Sequence, residues 1–196
     1  VGYYFCGANL LGEEENGMKK FIFGLILGII AVPVVVYLYF VSGSAPVATS
    51  APPMPFERTL ARTALHARMD KELPKSVPVT ADEAAYTAGA QIYKDHCAVC
   101  HGLPGVPQTA ISKGMFPKPP KLFEGKGVTD DPAAESYWKV AGGIRMTGMP
   151  SFDTSLSTTE MWQVSLLLAN ADKLPKSVKD TLTASPVPAP APEIKK

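Results

Sequence analysis

Cysteine and histidine are scarce in this chain, with three of each in 196 residues. The one Cys-x-x-Cys has no second pair of cysteines and no pair of histidines to complete it. That disfavours a structural zinc site, which takes four ligands. An excess of charge of one sign is also missing: 19 basic residues face 18 acidic ones, for a formal net charge of +1. Composition therefore gives no electrostatic ground for nucleic-acid binding, and no nucleic-acid partner is expected. Charge disappears altogether between Phe21 and Val41. What remains suits one modest folded domain with extra segments, since 46% of residues are hydrophobic and a real core is affordable. Proline, in contrast, is plentiful at 19 residues. Its clusters around 46–55, 74–78, 104–120 and 184–192 mark linkers, an internal loop and a tail.

The uncharged run Phe21–Val41 has the roughly 20 residues needed to cross a bilayer. A secretory signal peptide competes, but its apolar region is usually about 7–15 residues long. Pro46 would also block cleavage after Ser42-Gly43-Ser44-Ala45. An uncleaved anchor is the better reading. Lys19 and Lys20 place the N-terminus in the cytoplasm and everything after residue 41 outside, with Tyr37 and Tyr39 near the outer interface. Residues 1–20 are a cytoplasmic leader, of which 1–17 look like an upstream extension from a mis-called start, Met18 being a natural first residue. Cys6 falls there and receives no chemistry. Gly24 and Gly28 form a small-x-x-x-small pair that more simply reflects the frequency of glycine in membrane helices. Pro33 is a possible kink.

Residues 42–56, rich in Ser, Ala and Pro, form a semi-stiff linker. Residues 57–81 hold an accessory helix and its connector. The helix runs from Phe56 to Leu73, with Leu60, Ala64, Leu65 and Met69 as a rough apolar stripe, and Pro74 closes it. A second helix starts near Asp82, its plausible cap, and continues through Tyr93 to the cysteines. A last helix spans about Thr158–Asn170, with Ser157 or Thr158 as cap and Glu160 in the first turn. Leu-Pro-Lys-Ser-Val occurs at 73–77 and again at 174–178, which reads as a shared helix stop. Residues 179–196 degenerate into a Pro/Ala tail expected to be disordered.

Cys97-Ala98-Val99-Cys100-His101 carries the chemistry. Cys-x-x-Cys-His is the pattern of c-type haem attachment. Two thiols two residues apart at a helix end reach neighbouring vinyl groups, and the adjacent imidazole reaches the iron. A thioredoxin-like redox pair would want a βαβ pattern, whereas Pro-rich loops follow here. Cys97, Cys100 and His101 are thus the expected haem-binding residues, with His101 on the metal. Met115, Met146, Met149 and Met161, with His66 and His96, are candidates for a sixth ligand. Met161 belongs to the apolar last helix beside Trp162. Met115 is as well suited to packing on haem as to ligation, and His96 reads as a surface residue. Met149 is favoured, because Gly148 allows close backbone approach and Pro150 stiffens the loop. Met146 is its rival.

These residues resemble class I c-type cytochromes. The resemblance covers about residues 82–173 and rests on two motifs in order. One is Gly89-Ala90-Gln91-Ile92-Tyr93 leading into Cys97–Gly102. The other is Tyr137-Trp138-Lys139-Val140-Ala141-Gly142-Gly143-Ile144-Arg145 leading into Thr147-Gly148-Met149-Pro150. It implies an all-α fold, a cytochrome c-like helical haem domain over residues 82–178, here preceded by one N-terminal transmembrane helix. Its first and last helices would cross near the haem with Gly89 permitting close approach and Tyr93 and the Trp162 region at the crossing. It also implies Met149 as the second iron ligand, beside His101. The loop Gly114–Leu122, with three prolines, departs from the simplest members and reads as a strap over the haem edge or as a partner surface.

The expected cofactor is one covalently attached haem c with its iron. With both axial positions filled, the chemistry is electron transfer and not catalysis. The leading function is a membrane-tethered carrier in the cytoplasmic membrane, its haem domain on the periplasmic side, between membrane-bound electron donor and acceptor proteins. The second is a fixed subunit of a larger respiratory complex: a quinol oxidoreductase, a haem-copper oxidase or a nitric-oxide reductase. A haem sensor or peroxidase is a remote third, since Met149 argues against an open iron. Lys113, Lys118, Lys121 and Lys126 form a basic stretch that either steers an acidic partner or is a solvated loop.

Overall fold

The computed structural model of the chain describes residues 10–124 and 131–184. All regular elements among the described residues are helical, and they divide into two compact units that meet at Met54 and Pro55.

The first unit contains α1, Leu10–Val41, which passes without interruption through Pro33. Within it, Gly17–Val41 is long and apolar enough to cross a membrane, and none of that stretch is buried. In water this would leave an uncovered apolar surface many residues long. A bilayer removes that penalty, and an α-helix satisfies its own backbone there. The segment fits a transmembrane anchor. The helix begins inside the expected leader, while Cys6 lies outside the described residues.

The second unit starts with α2, Glu57–Glu72, entered through Phe56 in a left-handed conformation (φ 62°) and closed by Leu73 donating its N–H to the Met69 carbonyl. Of the expected stripe, Met69 is buried and Leu65 half-buried, but Leu60 is 67% exposed. Partnering explains the difference. The end of α2 reaches α6, Ala133–Gly142, where Trp138 Nε1–H donates to Glu72 at 3.2 Å, so one end of the stripe is covered.

The rest of this unit is built on α3, Glu83–Ile92, and α7, Thr158–Ala169. Asp82 caps α3 by accepting the Ala85 N–H at 2.8 Å. Ser157 caps α7 in a reciprocal box, its hydroxyl taking the Glu160 N–H and the Glu160 carboxylate taking the Ser157 N–H. The two helices meet backbone to backbone. A Cβ on Gly89 would lie 2.4 Å from the Gln163 carbonyl oxygen and 2.8 Å from its carbon. Tyr93 and Trp162 are both buried, yet each has its own partner. Tyr93 meets Phe123 edge-on at 4.8 Å, and Trp162 stacks on Tyr137 at 4.2 Å. Ala90, Val140, Met161, Val164 and Leu167 fill the core between them.

Two expectations change at the C-terminal end. The residues from 179 onward, expected to be disordered, continue a helix, α8, Lys176–Thr183. Val178 and Leu182, one turn apart, are buried against the α3 side of the core, and Ser177 Oγ–H donates to Glu83 at 2.5 Å. Residues 185–196 lie outside the described residues. The repeated Leu-Pro-Lys-Ser-Val is not a shared stop either. Its first copy ends α2, but α7 has already ended at Ala169, and Pro175 starts α8 with its missing N–H at no cost.

Gly89→Ala should cost about 1–3 kcal/mol, because the new methyl meets backbone and not a movable side chain. Thermal unfolding would read this, and an unchanged midpoint would disprove the close crossing. Glu160 is held below its ordinary carboxyl value of 4.5 by the Ser157 hydroxyl first and the Ser157 N–H second. A lowered folded-state value means the contribution is complete above about pH 4.5 and fades as pH drops through the folded value. The stability gap between the wild type and Glu160→Ala should therefore be full at neutral pH and shrink on acidification.

Candidate functional site

The sequence motif sits where the α3 helix changes pitch. Beyond Ile92 the chain makes one π-helical turn, Tyr93–Cys97, and then α4, Ala98–His101. Wide turns of this kind re-aim side chains and often sit at functional sites. Gly102, at φ 79°, ends the run. Two side chains clamp it: Tyr93 Oη–H, from the start of the run, donates to the Gly102 carbonyl at 2.7 Å, and Thr109 Oγ1–H, from beyond its end, donates to the Val99 carbonyl at 2.6 Å. Thr109 also caps α5, Ala110–Gly114.

Cys97 and Cys100 are half-buried free thiols. Burial, reinforced by the neighbouring Cys100, pushes the Cys97 thiol up to about 12. A dithiol redox pair needs an easily formed thiolate, with a lowered value. Cys97 is arranged the opposite way. Its environment suits a neutral sulfur, which is what a thioether is.

His101 is aimed by a bond that the motif does not contain. Its Nδ1 lies 2.8 Å from the Pro120 carbonyl, contributed by the loop that follows α5. A carbonyl only accepts, so Nδ1 carries the proton and Nε2 keeps its lone pair. Burial, the larger influence, lowers the imidazole below its ordinary value and outweighs the opposing effect of the Pro120 bond, keeping the ring neutral at pH 7. A neutral imidazole with one nitrogen fixed and the other free is a metal ligand held ready. The strap Gly114–Leu122 thus touches the site through a backbone carbonyl. Beyond it, Glu124 accepts the Gly105 N–H at 2.8 Å and pairs with Lys121 at 2.7 Å. Those contacts, that of Lys121 first, hold the Glu124 carboxyl below its ordinary value. Lys113 and Lys118 are exposed, and Lys126 lies outside the described residues.

The second motif forms a tight loop after α6. Gly143, at φ 63°, lets the chain return over itself, since a Cβ there would lie 2.6 Å from the Ser151 nitrogen. Phe152 N–H donates to the Val140 carbonyl at 3.0 Å, and Ser151 Oγ–H to the Ala141 carbonyl at 2.6 Å, fastening the loop to the end of α6. Met149 is half-buried and packs against the same hydrophobic core as Cys97, Leu103, Leu122 and Phe152. Met146 is 93% exposed. Met115 packs its methyl against Gly148, where a Cβ would come within 2.0 Å of Cε. Met161 lies in the core, and His66 and His96 are exposed, His96 edge-on to Phe152 at 6.0 Å. Cys97 and Met149 thus each border the same hydrophobic core, and His101 lies four residues beyond Cys97. These residues fit haem c: two half-buried free thiols, a neutral imidazole with a free Nε2, and a half-buried thioether packed against the same core as Cys97. Pro120, Thr109 and the π-helical turn had no signal in the sequence, because a carbonyl or a pitch change is not a residue type.

Residues 84–166 match the family model described as cytochrome C oxidase, cbb3-type, subunit III. The quinohemoprotein alcohol dehydrogenase ADH IIB of Pseudomonas putida is 33% identical over 97 residues, a match that takes in 48% of this chain and 12% of the dehydrogenase. A chain of the reducing HAO-like protein complex of Kuenenia stuttgartiensis is 22% identical, with a TM-score of 0.44, over 62% of this chain and 52% of that one. With the all-helical fold and the Cys-x-x-Cys-His turn, the first two matches identify residues 84–166 as a c-type cytochrome domain, which binds haem c covalently and serves electron transfer.

Proposed function

We propose that this chain is a membrane-tethered, one-haem cytochrome c that carries single electrons between respiratory proteins on the periplasmic face of the cytoplasmic membrane. Cys97 and Cys100 would hold the haem through thioethers, and His101 Nε2 and Met149 Sδ would ligate its iron. The observation that carries this reading is the His101–Pro120 hydrogen bond, which leaves Nε2 free at the end of the two-cysteine turn.

Haem c supplies a one-electron couple when bound, with a thioether ligand raising its potential. His101 gives its Nδ1 proton to a carbonyl that cannot remove it, so the imidazole stays neutral at either charge of the site. Met149 has no proton to exchange. The two side chains therefore ask for no proton movement, and the loop around Met149, fastened to α6, keeps its position. The Gly17–Val41 anchor confines the domain to the membrane plane, where a raised effective concentration replaces tight binding. Lys19 and Lys20 near its N-terminal end support the orientation.

A fixed subunit of a larger membrane oxidoreductase is the second reading. The family model's description and the dehydrogenase match, in which a similar segment forms 12% of a longer protein, favour it.

Optical spectra of the oxidised and reduced protein test the ligand assignment. A low-spin ferric spectrum with an iron–thioether charge-transfer band is expected, and Met149→Ala should abolish that band. A high-spin spectrum that binds carbon monoxide readily and ignores the substitution would move the sensor or peroxidase reading to the front. Detergent-solubilised membranes separate the two leading roles. A carrier should migrate alone after a salt wash, whereas stable co-migration with other chains would make it a subunit.

A further inference from the structure

We propose that Thr147 is the positioning residue of the Met149 loop: its hydroxyl, and not its bulk, holds the Met149 backbone where the thioether can ligate. The assignment rests on Met149 being an iron ligand.

The loop contains a local conflict. Thr147 N–H donates to the Ile144 carbonyl at 3.2 Å, closing a four-residue turn whose third residue is Met146. Met146 has φ 59°, a conformation that turns of this geometry normally give to glycine or asparagine. Its side chain points into solvent, 93% exposed, so packing does not hold it there. Something else must oppose the tendency of Met146 to relax.

Thr147 supplies it. Its Oγ1–H donates to the Ile144 carbonyl at 2.7 Å, doubling the turn's own bond, while Oγ1 accepts the Met149 N–H at 3.1 Å. Ile144 N–H then donates to the Met149 carbonyl at 3.2 Å. One hydroxyl thus links the start of the loop to the backbone of Met149 on both sides of the strained residue. Gly143 lies under the returning chain, its absent Cβ only 3.0 Å from the Met149 carbonyl oxygen. The Met149 backbone is consequently located from below by Gly143 and from within by Thr147. Of these, only the hydroxyl bonds the Met149 amide nitrogen. Without it, the third residue of the turn can leave its left-handed conformation, and Met149 loses its fixed register.

The test compares Thr147→Val, which keeps the shape and deletes the hydroxyl, with Thr147→Ser, which keeps the hydroxyl and deletes the methyl, in the full holoprotein. Three readings are taken: the ferric iron–thioether band per haem, the reduction potential, and hydrogen exchange at the Met149 amide. Thr147→Val should lose about half the band or more, lower the potential and speed Met149 exchange about five- to tenfold, as expected for one hydrogen bond. Thr147→Ser should stay close to the wild type in all three. A valine variant that retains the band and the potential overturns the assignment. So does an equal fall in both variants, which would place the effect in the methyl group. A wild type without the band would instead overturn Met149 ligation, and this assignment with it, and is recognised before either variant is made.

Discussion

The contact on which the rest of the haem-side unit depends is that between Gly89 and the backbone of Gln163 and Val164. Helices normally pack through side chains at interaxial distances of about 8–10 Å. At Gly89 there is no side chain, and the Gln163 carbonyl occupies the place a methyl group would need. The approach brings α3 and α7 together eight residues before Cys97. Tyr93, one turn on from Gly89, is fully buried as a result, and α8 closes the other side of α3 with Val178 and Leu182. Both sequence motifs leave from helices that this crossing places: the Cys-x-x-Cys-His turn from α3, and the Met149 loop from α6, whose Tyr137 lies flat on Trp162 of α7.

Around the site the polar groups are arranged to stay uncharged. The Cys97 thiol is discouraged from ionising, the His101 ring is kept neutral, and the bonds that orient them end on backbone carbonyls: Pro120 for His101, Gly102 for Tyr93, Val99 for Thr109. Carbonyls suit this role because they fix direction without titrating. The charged residues nearby, Lys121 and Glu124, neutralise each other at the edge of the loop. A site whose own surroundings do not change charge leaves the electron as the only charge that moves.

Much of this was legible in the sequence because it is local. Asp82 and Ser157 with Glu160 announce helix starts through contacts within three residues, and the two-cysteine turn needs only its own spacing. Gly89 was readable through its resemblance to class I cytochromes, since a glycine in a helix is otherwise ambiguous. The parts that were not legible depend on residues distant in the chain. Pro120 reaches His101 across 19 positions, and Glu72 reaches Trp138 across 66. The rough apolar stripe of α2 finds a partner only towards its Met69 end. Lys176–Thr183 carries few apolar residues, and its helix becomes worthwhile only once Val178 and Leu182 have a surface to cover.

Tyr93 has a consequence of a different kind. A phenol can act as a way-station for oxidising equivalents only if it can release its proton as it gives up an electron. Tyr93 is buried beneath Phe123, its pKa is pushed far above the ordinary value by desolvation and by Cys97, and its hydroxyl proton is aimed at the Gly102 carbonyl. A carbonyl oxygen is too weak a base to take that proton, so Tyr93 serves as a fixed anchor, tying the start of the π-helical turn to the residue that ends α4.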